Sequence, residues 1–87
     1  MKNDIDNLKK RLIYRSQYRG TKEMDKLVGK FVQLHIDKFD FAQLKKLEKF
    51  LDIDDDTLYK FYTNQINNLD GEMLEISKIF KKFNYQI

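Results

Sequence analysis

The sequence predicts an all-α fold, a single small bundle of about five short helices formed by residues 1–87 as one domain. Three observations carry the prediction. Apolar residues recur at three- and four-residue spacing along the chain, no segment alternates with period two, and there is no proline and only three glycines, Gly20, Gly29 and Gly71. A chain of 87 residues has material for one core and too little for two.

The first helix is expected from about Asp4 to Tyr18, on Ile5, Leu8 and Leu12 with Ile13 and Tyr14 adjoining. Gly20 supplies the left-handed backbone that commonly ends helices, and Arg19 suits the negative end of the helix dipole. A second helix restarts at Thr21, its stripe made by Met24, Leu27, Val28, Phe31, Val32 and Ile36. Gly29 inside it costs about 1 kcal/mol relative to alanine and marks a close helix contact. Asp40 followed by Gln43 is a capping box that opens a third helix carrying Phe41, Leu44, Leu47, Phe50 and Leu51. The run DIDDD breaks the pattern. A fourth helix follows from about Asp56 to Asn64, burying Leu58, Phe61 and Tyr62. NNLDG is the next breaker, and Met73, Ile76, Ile79, Phe80 and Phe83 make a fifth helix.

Composition removes several function classes. With no cysteine, a disulfide framework, a thiolate metal site and a cysteine nucleophile are excluded. The start, MKNDIDNLKKRL, carries two acids and no continuous apolar stretch, unlike a secretory signal or a transit peptide. No apolar run approaches the ~20 residues of a membrane span. A soluble protein that stays in the compartment of its synthesis is expected. The net charge of +3 hides a gradient: residues 1–30 hold nine Lys or Arg against four acids, residues 31–70 five against eight. A basic face meeting an acidic partner fits that gradient, as does an ordinary solvated helix surface.

Asp52, Asp54 and Asp56 take the first, third and fifth places of a calcium loop. The sixth place, which needs glycine, is Thr57, and the twelfth, which needs glutamate, is Thr63, so helix capping is the better reading. His35, the sole histidine, has no metal-site partners and reads as structural. No phosphate loop, nucleophile elbow or histidine-based triad can be written, and nothing asks for an enzyme. KKRLIYRSQYRG interleaves cations with tyrosines, a pattern able to bind nucleic acid. The acids at 52, 54–56 and 70 and the lack of a recognition helix dense in base-reading side chains argue against that.

The stretch YRGTKEMD, residues 18–25, reads on spacing alone as a helix corner, with Glu23 in the first turn of the next helix. A corner does not account for the density of groups around it. Tyr14, Arg15, Tyr18, Arg19 and Glu23 set aromatic, cationic and anionic side chains near a turn whose centre has none. Glycine admits a partner's backbone, and Arg and Tyr are the residue types most often found as interface anchors.

RLIYRSQYRGTKEMDKLVGKF closely resembles the N-terminal signature of the succinate dehydrogenase assembly factor family, the flavinators, with its RGxxE motif at Arg19, Gly20 and Glu23. DFAQLKKLEKFLDIDDDTLYKFY is similar to that family's third and fourth helices. The resemblance covers about residues 8–64, and its nearest flavour is the alphaproteobacterial branch. Where that branch tends to have Trp-His before the motif this chain has Gln17 and Tyr18, and where the fourth helix usually has Trp it has Phe61, an apolar core substitution.

The resemblance implies a five-helix, non-enzymatic, chaperone-like assembly factor of the bacterial cytoplasm. Its partner would be the flavoprotein subunit of succinate dehydrogenase, or in some bacteria the related fumarate reductase, whose covalent attachment of FAD to a histidine it promotes. It would bind no cofactor or metal tightly itself; FAD is attached to the client. The partner-binding set would be Arg19, Gly20, Glu23, Tyr14, Arg15, Tyr18 and Asp25. Gly20 would allow close approach, Arg19 would hydrogen-bond the client, Glu23 would orient Arg19 or meet a cation, and Asp25 would support the corner. No nucleic-acid partner and no membrane span are expected, and the state is expected to be monomeric. The alternative is a small basic nucleic-acid-binding or general protein-interaction helical module.

Overall fold

Helices α1, Lys2–Gln17, and α2, Lys22–His35, meet at the corner of residues 18–21 in the computed structural model, which describes residues 2–66 and 74–83. A 3₁₀ turn, Ile36–Lys38, leads to α3, Phe41–Phe50, then α4, Asp55–Tyr62, and α5, Leu74–Lys82. Among the described residues every regular element is helical. The expected breaker NNLDG and Met73 lie outside them.

The starts of α2, α3 and α4 each have a chemical cause. Thr21 caps α2, its hydroxyl accepting from the Met24 N–H at 3.3 Å. At α3 the capping box is complete: Asp40 accepts from Gln43 N–H at 2.8 Å, and the Gln43 side chain accepts from Asp40 N–H at 2.9 Å. Helix α4 starts one residue before its expected boundary, because the cap is Asp54, whose carboxylate accepts from both the backbone and the hydroxyl of Thr57. It also ends before Asn64. That residue takes φ +66°, Gln65 N–H donates to Lys60 O, and Asn64 N–H donates to Phe61 O, which is a Schellman stop with asparagine in the place usually held by glycine.

The core gathers one face of every helix: Leu8 and Leu12; Met24, Leu27, Val28, Phe31 and Val32; Leu44, Leu47 and Phe50; Leu58 and Phe61; Ile76 and Phe80. Phe31, Phe50 and Phe80 meet at centroid distances of 5.0–5.9 Å, two of the three contacts edge-on, as ring quadrupoles favour. Phe61 is buried, as its expected core substitution requires. Phe41 departs from expectation: it sits at the first position of α3, past the end of the buried stripe, and is exposed with Lys45 near its ring. Tyr62 is half-buried, and its hydroxyl donates to Phe83 O at 2.6 Å. His35 is packed as a structural side chain, with Nδ1 2.8 Å from Phe31 O and its ring among Phe31, Phe39 and Phe83.

The crossing of α1 and α2 sets the corner. Gly29 faces the end of α1 so closely that a Cβ there would stand 3.2 Å from Gln17 Cγ and 3.6 Å from Ser16 O. Ser16, fully buried, continues the Leu8–Leu12 line and keeps its hydroxyl satisfied on Ile13 O at 2.7 Å. Two small residues therefore bring the helices together just before the chain turns.

Candidate functional site

Four segments converge at the corner: the end of α1, the turn of residues 18–21, the start of α2, and the loop from α3 into α4. The turn itself is made by Gly20, whose φ of +129° is a conformation that side-chain-bearing residues rarely adopt. On the α2 side, Asp25 accepts hydrogen bonds from the backbone N–H groups of Arg19 and Gly20. Asp25 thus supports the corner by hydrogen bonding.

Arg19 is oriented inward. Its Nε–H donates to Asp55 Oδ1 at 2.6 Å, one terminal nitrogen donates to Leu51 O at 2.9 Å, and the other donates to Ile53 O. The side chain is only 7% exposed and Asp55 25%. An arginine removed from water needs such a set, since an unpaired buried cation is strongly disfavoured. Of the two roles expected of Glu23, orienting Arg19 or meeting a client cation, the structure does not show the first. The acceptors of Arg19 come from the α3–α4 segment, and among the described residues Glu23 has no hydrogen-bond or ion-pair partner and is exposed.

The outer surface carries the remaining residues. Tyr14 and Tyr18 pair their rings at 4.6 Å with a 33° tilt, and both are about two-thirds exposed. Between them Arg15 reaches Asp52 at 2.5 Å, an ion pair open to solvent. Tyr14, Arg15, Tyr18 and Arg19 border an open groove closed on its other side by residues 51–55. The structure so brings together Tyr14, Arg15, Tyr18, Arg19, Gly20 and Asp25, with Glu23 exposed at the start of α2.

Each acid of the DIDDD run has its own task. Asp52 pairs with Arg15, Asp54 caps α4, Asp55 holds Arg19, and Asp56 meets Lys60 at 3.0 Å one helical turn on. The hydroxyl of Thr57, with its backbone N–H next, holds the Asp54 carboxyl below its ordinary value of 3.8. Among the described residues no group of three or more His, Asp or Glu side chains is arranged to hold a metal ion. Asp55 was missed in the sequence because its partner lies 36 positions away and nothing local separates it from its acidic neighbours.

No helix of the described residues is long and apolar enough to cross a membrane. No solved structure matches the chain with significance. Two curated relatives, each named succinate dehydrogenase assembly factor 2, mitochondrial, come from Aspergillus flavus and Aspergillus terreus. Each is 33% identical over 60 residues, a match covering 69% of this chain and 20% of the relative. The chain thus spans about a fifth of the length of the relatives it matches. The sequence model of the family described as flavinator of succinate dehydrogenase matches residues 10–85 and so takes in all four segments of the corner. On that match the chain belongs to the succinate dehydrogenase flavinator family.

Proposed function

We propose that this chain is an assembly factor that binds the flavoprotein subunit of succinate dehydrogenase and promotes covalent attachment of FAD to a histidine of that subunit. The observation that carries the proposal is the corner itself, in a chain of this family: a glycine at φ +129° held by part-buried bonds at its base and edged by exposed rings. Flavin and histidine both belong to the client, and this chain supplies geometry without a catalytic group of its own. Gly20 admits the client's backbone, Glu23 offers an exposed carboxylate to a client cation, and Tyr14 and Tyr18 supply apolar area with polar tips. Arg15 edges the same face. Asp25 and Arg19 act from within, keeping the turn in one conformation so that its ordering does not oppose binding. The factor acts as a monomer in the bacterial cytoplasm, with fumarate reductase as a second client in some species.

The test is co-expression with the cognate flavoprotein subunit in a host lacking its own assembly factor, reading flavin fluorescence on that subunit after denaturing electrophoresis. Covalent flavin is expected with the wild-type chain and is expected to be lost with Gly20→Arg. Equal fluorescence in every lane, including the one without this chain, would overturn the proposal.

A further inference from the structure

We infer that Asp55 is a positioning residue for the corner: acting through Arg19, it sets the geometry in which Gly20 and Glu23 meet the client. The inference rests on the function proposed above.

Arg19 is gripped from two sides. Its backbone N–H is tied to Asp25 on α2, and its guanidinium is tied to three oxygens in the segment joining α3 to α4. A guanidinium is planar with fixed donor directions, so three acceptors determine its plane and, through the side chain, the place of its Cα. Two of the acceptors are backbone carbonyls, of Leu51 and Ile53. Asp55 is the one side chain among the three and the one carrying charge. It binds Nε, the nitrogen nearest the aliphatic stem, and so orients the side chain closer to the backbone than the bonds at the tip do.

Two further features support this role for Asp55. It stands in the first turn of α4, where the helix dipole favours a carboxylate, so the anchor is itself fixed. Its second oxygen lies along the glycine: a Cβ on Gly20 would be 3.9 Å from Asp55 Oδ2. One carboxylate thus contacts the arginine and lies beside the turn. The start of α4 does not depend on it, because the cap is Asp54 and the buried face is Leu58 and Phe61. Removing the Asp55 side chain should therefore loosen the corner while leaving the helix in place.

The experiment compares Asp55→Ala and Asp55→Asn in the full chain by titrating each into FAD-supplied, non-flavinylated client subunit. If a tenth of the Asp55→Ala molecules hold the competent corner, half-maximal flavinylation needs about tenfold more chaperone, with the final yield restored at saturation. Asp55→Asn keeps an acceptor oxygen for Nε but removes the counter-charge, and should recover only part of the loss. Amide hydrogen exchange at Arg19 and Gly20 should quicken in Asp55→Ala while exchange at Ile76 and Phe80 stays unchanged. A variant that matches wild type in both titration and exchange overturns the inference, as does exchange that quickens equally throughout the core. If the wild-type chain itself fails to raise flavinylation, the proposed function falls, and the exchange pattern alone decides whether Asp55 positions the corner.

Discussion

Arg19 and Gly20, adjacent in the chain, contribute in different ways, and substitutions separate them. Truncating Arg19 to alanine leaves the Asp55 carboxylate and two carbonyls without their donor. With Asp55 in partial contact with water, the expected loss is about 2 kcal/mol. A urea titration should show the midpoint falling with the slope unchanged; an unmoved midpoint would contradict the clamp. Gly20→Ala is a test of backbone strain, since the new Cβ would find ordinary contact at 3.9 Å but φ of +129° disfavours any side chain. The expected cost is about 1–2 kcal/mol, read as a lower melting temperature. The need for glycine at the turn was legible in the sequence, because it acts within a few residues, and the support given by Asp25 was expected from the family resemblance. The inward direction of Arg19 was not legible, since its acceptors are two backbone oxygens and one acid drawn from a distant segment.

At the scale of the elements, polar caps were the most legible signals. The Asp40–Gln43 box is local and forms as its spacing predicts, and Asp40→Ala should cost about 1 kcal/mol in a denaturation experiment. The end of α4 was less legible, because asparagine serves a helix, a loop or a left-handed stop, and only the hydrogen bonds of Gln65 and Asn64 decide among them. Phe41 misled for a related reason: periodicity tells which face a residue joins and leaves open whether the core extends that far. Asp54 gives the cap of α4 a pH dependence. Its folded pKa is depressed by Thr57, so its contribution is present above the unfolded value and is lost as pH falls through the folded one. Below about pH 3.8, the wild-type melting temperature should fall faster than that of Asp54→Asn; parallel curves would contradict that assignment.

For the molecule as a whole, one aromatic cluster and one corner divide the work. A radius of gyration of 12.3 Å is close to the ~12 Å expected for a compact chain of this length. Phe31, Phe50 and Phe80 join α2, α3 and α5 at the centre, and Phe31→Ala should cost about 3–5 kcal/mol. That is comparable to the entire stability of many small domains, so its loss should show as a chain without a cooperative melting transition. The helix content and core residues could be read from periodicity, whereas the convergence of the α3–α4 loop on the α1–α2 corner depends on packing that no single segment encodes. The central claim is that this corner is the face that meets the client. Hydrogen–deuterium exchange of the chain, alone and mixed with the FAD-loaded flavoprotein subunit, tests it most directly. Protection confined to residues 14–25 and 51–56 is the predicted result. Protection at residues 34–38 and 79–83 with none at the corner would contradict it.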